Sequence, residues 1–249
     1  MSQIVICDTN IWYGLGDGSI EQSRITTGVE FVATLVNLME FSFTFTLLSN
    51  EKLVRNAIRS SFKYHKFERF EPPPIYLKQL SDKKFHYNTL EEQNQFLEFT
   101  SLIAKGYSIN KKEEFKKFCQ KRKKELETTS LFFNSEAEKI KNKIKNKEAH
   151  RNVDARPINR KLINLFVNSM TNDNGLSEDF DWGQVELFEN VFMHYLIDLE
   201  TGAKKSKSSD WNDLFQLIYV QPGEKYWTKD AYCIELIKKA RMQKYLYGN

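Results

Sequence analysis

The run IVIC at residues 4–7 constrains the fold more than any other part of this chain, because it is apolar without interruption and ends on a carboxylate, Asp8. A strand lacking polar alternation is buried on both faces, as in a parallel sheet, and parallel strands need long crossover connections that are usually helices. The opening residues therefore predict an α/β fold with a central parallel sheet. Gly14, Gly16 and Gly18 follow within a few residues of Asp8. The segment is open to two chemistries: a phosphate-cradling turn, or an acidic ligand at the tip of a strand.

The next residues extend the α/β rhythm. GVEFVATLVNLM at 28–39 has helical apolar spacing, FTFTLL at 43–48 has strand composition, and Ser49 reads as the N-cap of a helix, SNEKLVRNAIRSSF. Past Phe70 the character changes. EPPP at 71–74 stops any helix, and from 90 to 169 the pattern is helical and highly charged. Residues 65–180 are expected to form a basic helical insertion or cap, left through the turn-rich TNDNGLSEDFDWG. The final third returns to α/β: WGQVELFENVFMHYLIDLE as a helix, GAKKSKSS as a mobile basic loop, DWNDLFQLIYV as an apolar helix, KYWT at 225–228 as a strand, and AYCIELIKKARM as a last helix. A length of 249 residues suits a single domain carrying that insertion.

Several classes are excluded. No stretch approaches the ~18 consecutive apolar residues of a membrane span, and the N-terminus lacks the basic and apolar blocks of a signal peptide, so a soluble cytoplasmic protein is expected. Cys7, Cys119 and Cys233 show no zinc or redox spacing, and the histidines (His65, His86, His150, His194) include no pair at helical spacing, so any metal ligands should be mostly oxygen. The formal charge of +4 is unevenly placed: residues 110–147 hold thirteen Lys/Arg against six Glu, a net of +7, which leaves the remainder slightly acidic. Such a block suits a polyanion or a solvated helix face. Lys121, Arg122, Lys123 and Lys124 within it, and Lys204 and Lys205 in the later loop, are the candidate nucleic-acid contacts.

The best-placed functional groups are acids at strand tips, since ligands of open α/β sheets bind at the carboxyl ends of the strands. Asp8 and Asp230 qualify. Asp213 stands at the start of an apolar helix, and Asp210, one turn earlier, reads as its cap, which frees Asp213 for another role. The glycines do not make a dinucleotide fingerprint, because the third comes one position early, and no G-K-[ST] follows for a phosphate loop. A haloacid-dehalogenase-type phosphatase would need a second aspartate where this chain has Asn10.

Taken in order, Asp8-Thr9-Asn10 after the first strand, the helix Asp213-Leu-Phe-Gln-Leu-Ile-Tyr-Val, and Thr228-Lys229-Asp230 after a late strand resemble the PIN domain, a family of metal-dependent nucleases. The resemblance covers roughly the first sixty and last seventy residues. It implies a three-layer α/β fold with Asp8, Asp213 and Asp230 as ligands of Mg²⁺ or Mn²⁺, assisted from behind by Asn10, Thr228 and Asp210. The family's second acid, a glutamate in the helix after the second strand, is missing, and Arg55 stands near its place. Glu51 is the candidate substitute, with Glu40 as the other. Converging carboxylates would repel one another and raise their own pKa values unless divalent cations neutralised them, and a metal pair can activate water against a phosphodiester. The expected function is a metal-dependent endonuclease, acting on RNA rather than DNA. The alternative is a catalytically weakened module that binds nucleic acid or a protein. A homo-oligomer or an inhibitory protein partner is compatible with either.

Overall fold

The computed structural model describes residues 2–26, 28–67, 69–86, 90–145, 156–171 and 175–248. Its sheet is parallel and four-stranded, in the order β3-β2-β1-β4, from β1 (Gln3–Cys7), β2 (Val29–Ala33), β3 (His65–Phe67) and β4 (Lys225–Trp227). Ile6 stands opposite both Val32 and Tyr226, and Cys7 opposite Trp227. That register brings Asp8 and Thr228, each one residue beyond its strand, side by side at the carboxyl edge.

Alternate strand residues supply two cores, one on each face. Val5, Cys7, Phe31, Ala33 and Trp227 face a layer built on α1 (Thr9–Asp17) and α4 (Glu51–Tyr64), with Ile103 of α6 (Leu90–Lys105) packed behind. Ile6, Val32 and Tyr226 face the opposite layer, made by α9 (Glu186–Glu200), α10 (Asp210–Leu217) and α11 (Ala231–Lys239), with α5 (Pro73–Ser81) and α8 (Arg156–Thr171) outside them. The connections α2 (Leu35–Ser42) and α3 (Thr46–Ser49) lie between β2 and α4. Two helices reach both cores: α2, through Phe41 in the first and Val36 in the second, and α7 (Lys112–Lys145), about 50 Å long, which buries Phe115 and Cys119 in the first and Phe133 in the second. Among the described residues no helix is long and apolar enough to cross a membrane. The cysteines are all buried and unpaired.

Local boundaries differ from the sequence expectations where a single side chain changes the backbone. Residues 28–39 are not one helix: β2 ends at Ala33, and Thr34 opens α2 with its N–H donating to Asn37 Oδ1 at 2.8 Å. This is half of a capping box, a start signal hidden inside the apolar run. FTFTLL is not a strand but the turn that follows α2 and the first residues of α3. The first turn of α4 is capped by Asn50, which accepts from Leu53 N–H at 3.3 Å, rather than by Ser49. Pro73 and Pro74 start α5 instead of only ending structure, because the first helical turn needs no donor there. The boundaries of the expected 65–180 insertion also shift: β3 belongs to the sheet, and Leu77, Leu162 and Ile163 are core residues. Part of that segment, residues 87–89, 146–155 and 172–174, lies outside the described residues.

The glycine-rich stretch after Asp8 is helix α1, which Gly18 ends. Gly16 is there because α1 and α4 touch: a Cβ on it would stand 2.6 Å from both the Ala57 nitrogen and the Asn56 carbonyl carbon. Backbone cannot yield as a side chain can, so Gly16→Ala is expected to destabilise by ~1–3 kcal/mol through forced separation of the two helices. Urea denaturation checks this, and a variant as stable as wild type would show that α1 can shift freely.

Candidate active site

The site is built where β1 and β4 end. Asp8 occupies the cap position of α1, yet its side chain caps nothing in that helix. Its Oδ2 accepts instead from Asn10 Nδ2 and from the Thr228 hydroxyl, both at 2.6 Å, and the residue is 4% exposed. Asn10 Oδ1 in turn accepts from Lys229 N–H at 3.0 Å, and Thr228 Oγ1 accepts from Asp230 N–H at 3.0 Å. One short network thus locks the two strand tips together. Asp230 caps α11, accepting from Cys233 N–H at 2.6 Å.

A second network brings in α2 and α10. Gln216 Nε2 donates to Cys7 O at 2.9 Å and to Asn37 Oδ1 at 3.0 Å, and Asn37 Nδ2 donates to Thr9 Oγ1 at 2.8 Å. Thr9 donates onward to Glu40 Oε2, whose other oxygen accepts from Asn212 Nδ2 at 2.9 Å. Glu40 is therefore held at the site from both sides. Glu51 is not brought there: it pairs with Arg55 on its own helix and accepts from the Ser108 hydroxyl at 3.2 Å.

The acids act on one another. Burial pushes the Asp8 carboxyl up to about 6, with Asp230 adding to the rise against the hydrogen bonds from Thr228 and the backbone. Burial and then Asp8 push Glu40 up to about 7, opposed by its bonds from Thr9 and Asn212. Asp213 rises furthest, to about 9, through burial and the charges of Asp8, Glu40, Asp230 and Asp210. The structure thus brings Asp8, Asp213, Asp230 and Glu40 into electrostatic contact. Among the described residues, however, no three His, Cys, Asp or Glu side chains are grouped so as to hold one metal ion. The Tyr226 hydroxyl lies beneath them, fully buried and without a hydrogen-bond partner among the described residues; burial and the charge of Asp8 push its pKa up.

Asp210 does not cap α10. Its carboxylate accepts from Tyr195 OH at 3.0 Å, Lys207 N–H at 3.0 Å and Lys204 Nζ at 3.1 Å, which binds the preceding loop to the helix. That loop is not free. Lys204 lies 3.4 Å from the Tyr232 ring centroid, and Ser206 Oγ sits 2.6 Å from Ser130 Oγ of α7. Lys204 is consequently a structural cation, whereas Lys205 is exposed. On α7, Lys121 and Lys124 are exposed, Lys123 faces Glu127 at 3.8 Å, and Arg122 reaches Glu125 at 3.4 Å and lies in the field of Glu40.

Sequence reasoning missed Asn37, Gln216 and Asn212. The available signal was polarity: Asn37 interrupts the apolar run VATLVNLM, and Gln216 interrupts DLFQLIYV. A buried amide in such a stripe is normally there to satisfy other polar groups. No protein-family model, curated protein or solved structure matches the chain.

Proposed function

We propose that this protein is a divalent-metal-dependent endonuclease acting on RNA, with Mg²⁺ or Mn²⁺ held by Asp8, Asp213 and Asp230 and with Glu40 as the fourth acid. The observation that carries this reading is the set of buried acids at a sheet's carboxyl edge, Asp8, Glu40 and Asp213, all raised by burial, with the charge of Asp8 raising the other two further. Folding four acids together costs stability unless a cation offsets their charge. The donor set fits such a cation, being all oxygen, and the unpartnered Tyr226 hydroxyl beneath it is a further polar group within the same site. The order DTN, Asp213 helix and T-K-D, with a parallel sheet placing Asp8 beside Thr228, supports the finer assignment to a PIN-like fold.

A divalent cation held there would supply Lewis acidity and lower the pKa of the attacking water. The chain's own residues do the rest. Asn10 and Thr228 fix the Asp8 carboxylate, Thr9 and Asn212 fix Glu40, and Gln216 ties α10, and with it Asp213, to the end of β1. The second reading, a module that binds without cutting, is favoured by the absence of three closely grouped ligands among the described residues.

Titration of Mg²⁺ and Mn²⁺ against end-labelled RNA separates the two. Cleavage that rises with metal and vanishes in EDTA supports the nuclease, and binding without cleavage supports the module. In the same assay Glu40→Gln is expected to lower the rate by ~10–100-fold or more, as loss of a group that orients or holds a metal does. Glu51→Gln should stay within a factor of a few, since its partners are Arg55 and Ser108. The opposite ranking would return the fourth position to Glu51.

A further inference from the structure

Beside Glu40 lies a cleft of about 570 Å³ between α2–α3 and α7, with Thr9, Glu40 and Asn212 at one end and Phe43, Phe45 and Arg122 along it. It adjoins a second hollow of about 770 Å³ that shares Met39, Phe43 and Arg122 and is walled by Phe96, Phe99 and Phe118. Each volume is within the range of small-ligand sites. The walls are aromatic and braced: Phe43 meets Phe96 edge-on at 5.6 Å, and Phe99 stacks on Phe115 at 6.2 Å. Two rings are left to solvent, Phe118 at 59% exposure and Phe45 at 43%. Cations stand among them, with Lys121 and Arg122 on the second hollow and Arg122 and Lys123 on the first.

Exposed rings interleaved with cations match the chemistry of an unpaired nucleotide, which offers a π-face and a phosphate together. A duplex does not fit, because its base faces are already stacked inside the helix. We propose that this trough, between α2–α3 on one side and the helical middle of the chain on the other, binds the unpaired nucleotides of a single strand and leads it to Glu40. Bases stack on Phe118 and Phe45, and Lys121 and Arg122 take the phosphates. The placement beside the acids rests on the nuclease reading; the binding itself does not.

The test measures binding by fluorescence anisotropy in EDTA, where hydrolysis is suppressed. Two labelled probes of equal length are compared, an oligoadenylate and an abasic strand with the same phosphates. Wild-type protein should bind the oligoadenylate at least ~10-fold more tightly, and Phe118→Ala should weaken that binding by ~5–150-fold while leaving the abasic strand unchanged. Equal affinity of wild type for both probes overturns the proposal without need of any variant. So does an unchanged oligoadenylate affinity in the doubly substituted Phe45→Ala, Phe118→Ala protein. Metal-dependent cleavage with no base-dependent binding sinks the trough alone. Base-dependent binding without cleavage sinks the nuclease reading alone, and failure of both assays removes both.

Discussion

Asp8→Asn is expected to lower metal-dependent RNA cleavage by more than ~100-fold, beyond the ~10–100-fold typical of groups that only support a metal ligand. The substitution removes a charge and weakens the acceptance from the Thr9 and Asn10 backbone, while the shape is kept. Asn10 Nδ2 and the Thr228 hydroxyl both donate to Oδ2 of Asp8, and an amide oxygen can accept both bonds. Folding should not suffer. Because burial and Asp230 already raise the Asp8 carboxyl, a neutral amide there removes repulsion from the folded state. Metal-free Asp8→Asn should therefore unfold at the same temperature as wild type or higher, a gain in stability coupled to a loss of function. Cleavage within a few-fold of wild type would take Asp8 out of the site. Inactivity accompanied by a clearly lower melting temperature would point to a structural role instead.

The parts of the site legible in the sequence are those set by strand ends. An apolar run that stops at Cys7 puts Asp8 at a tip, and the same logic holds for Trp227 and Thr228; pairing of the two strands then needs no further information to bring them together. Glu40 was harder to see because its position depends on Thr34. Read as one helix, residues 28–39 put Glu40 past a helix end, whereas the break at Thr34 shortens the strand and turns α2 so that Glu40 meets Thr9.

Arg122 and Lys204 illustrate a different limit. Both sit in locally hydrophilic, lysine-rich stretches that read as solvated, yet both meet groups from elsewhere in the chain. Arg122 pairs with Glu125 of its own helix and also lies in the field of Glu40, and Lys204 meets the Tyr232 ring and Asp210. Gly16 belongs with them, since the backbone of Asn56 and Ala57 that excludes a Cβ lies on another helix. Long-range packing, rather than local propensity, decided each of these. The α/β class survived because periodicity encodes burial of whole faces, which tolerates errors in any one boundary.

The same acids make metal-free stability depend on pH with an unusual sign. Asp8, Glu40 and Asp213 carry folded-state values of about 6, about 7 and about 9 against ordinary values of 3.8, 4.5 and 3.8. Between its ordinary and its raised value, each group holds its proton in the folded chain and has lost it in the unfolded one. The folded state then binds more protons, so stability falls as pH rises through that window, the reverse of acids held in ion pairs. In EDTA the melting temperature is accordingly expected to drop between about pH 5 and about pH 8. A divalent cation needs the ionised carboxylates, so its affinity grows over the same interval as protons leave. At about a hundredfold excess over Kd, Mg²⁺ or Mn²⁺ bound at these acids is expected to stabilise by ~2.7 kcal/mol, or ~5–10 °C in a chain of this size. That rise should be mostly lost near pH 5, substantial near pH 8 and still growing toward about pH 9, where Asp213 loses its proton. Asp8→Asn and Asp213→Asn should each flatten the EDTA profile and shrink the metal response. A metal-induced shift of equal size at both pH values would mean that the cation binds elsewhere. No shift at either would leave the acids in mutual repulsion with no cation to relieve it, and the metal-dependent reading would fall.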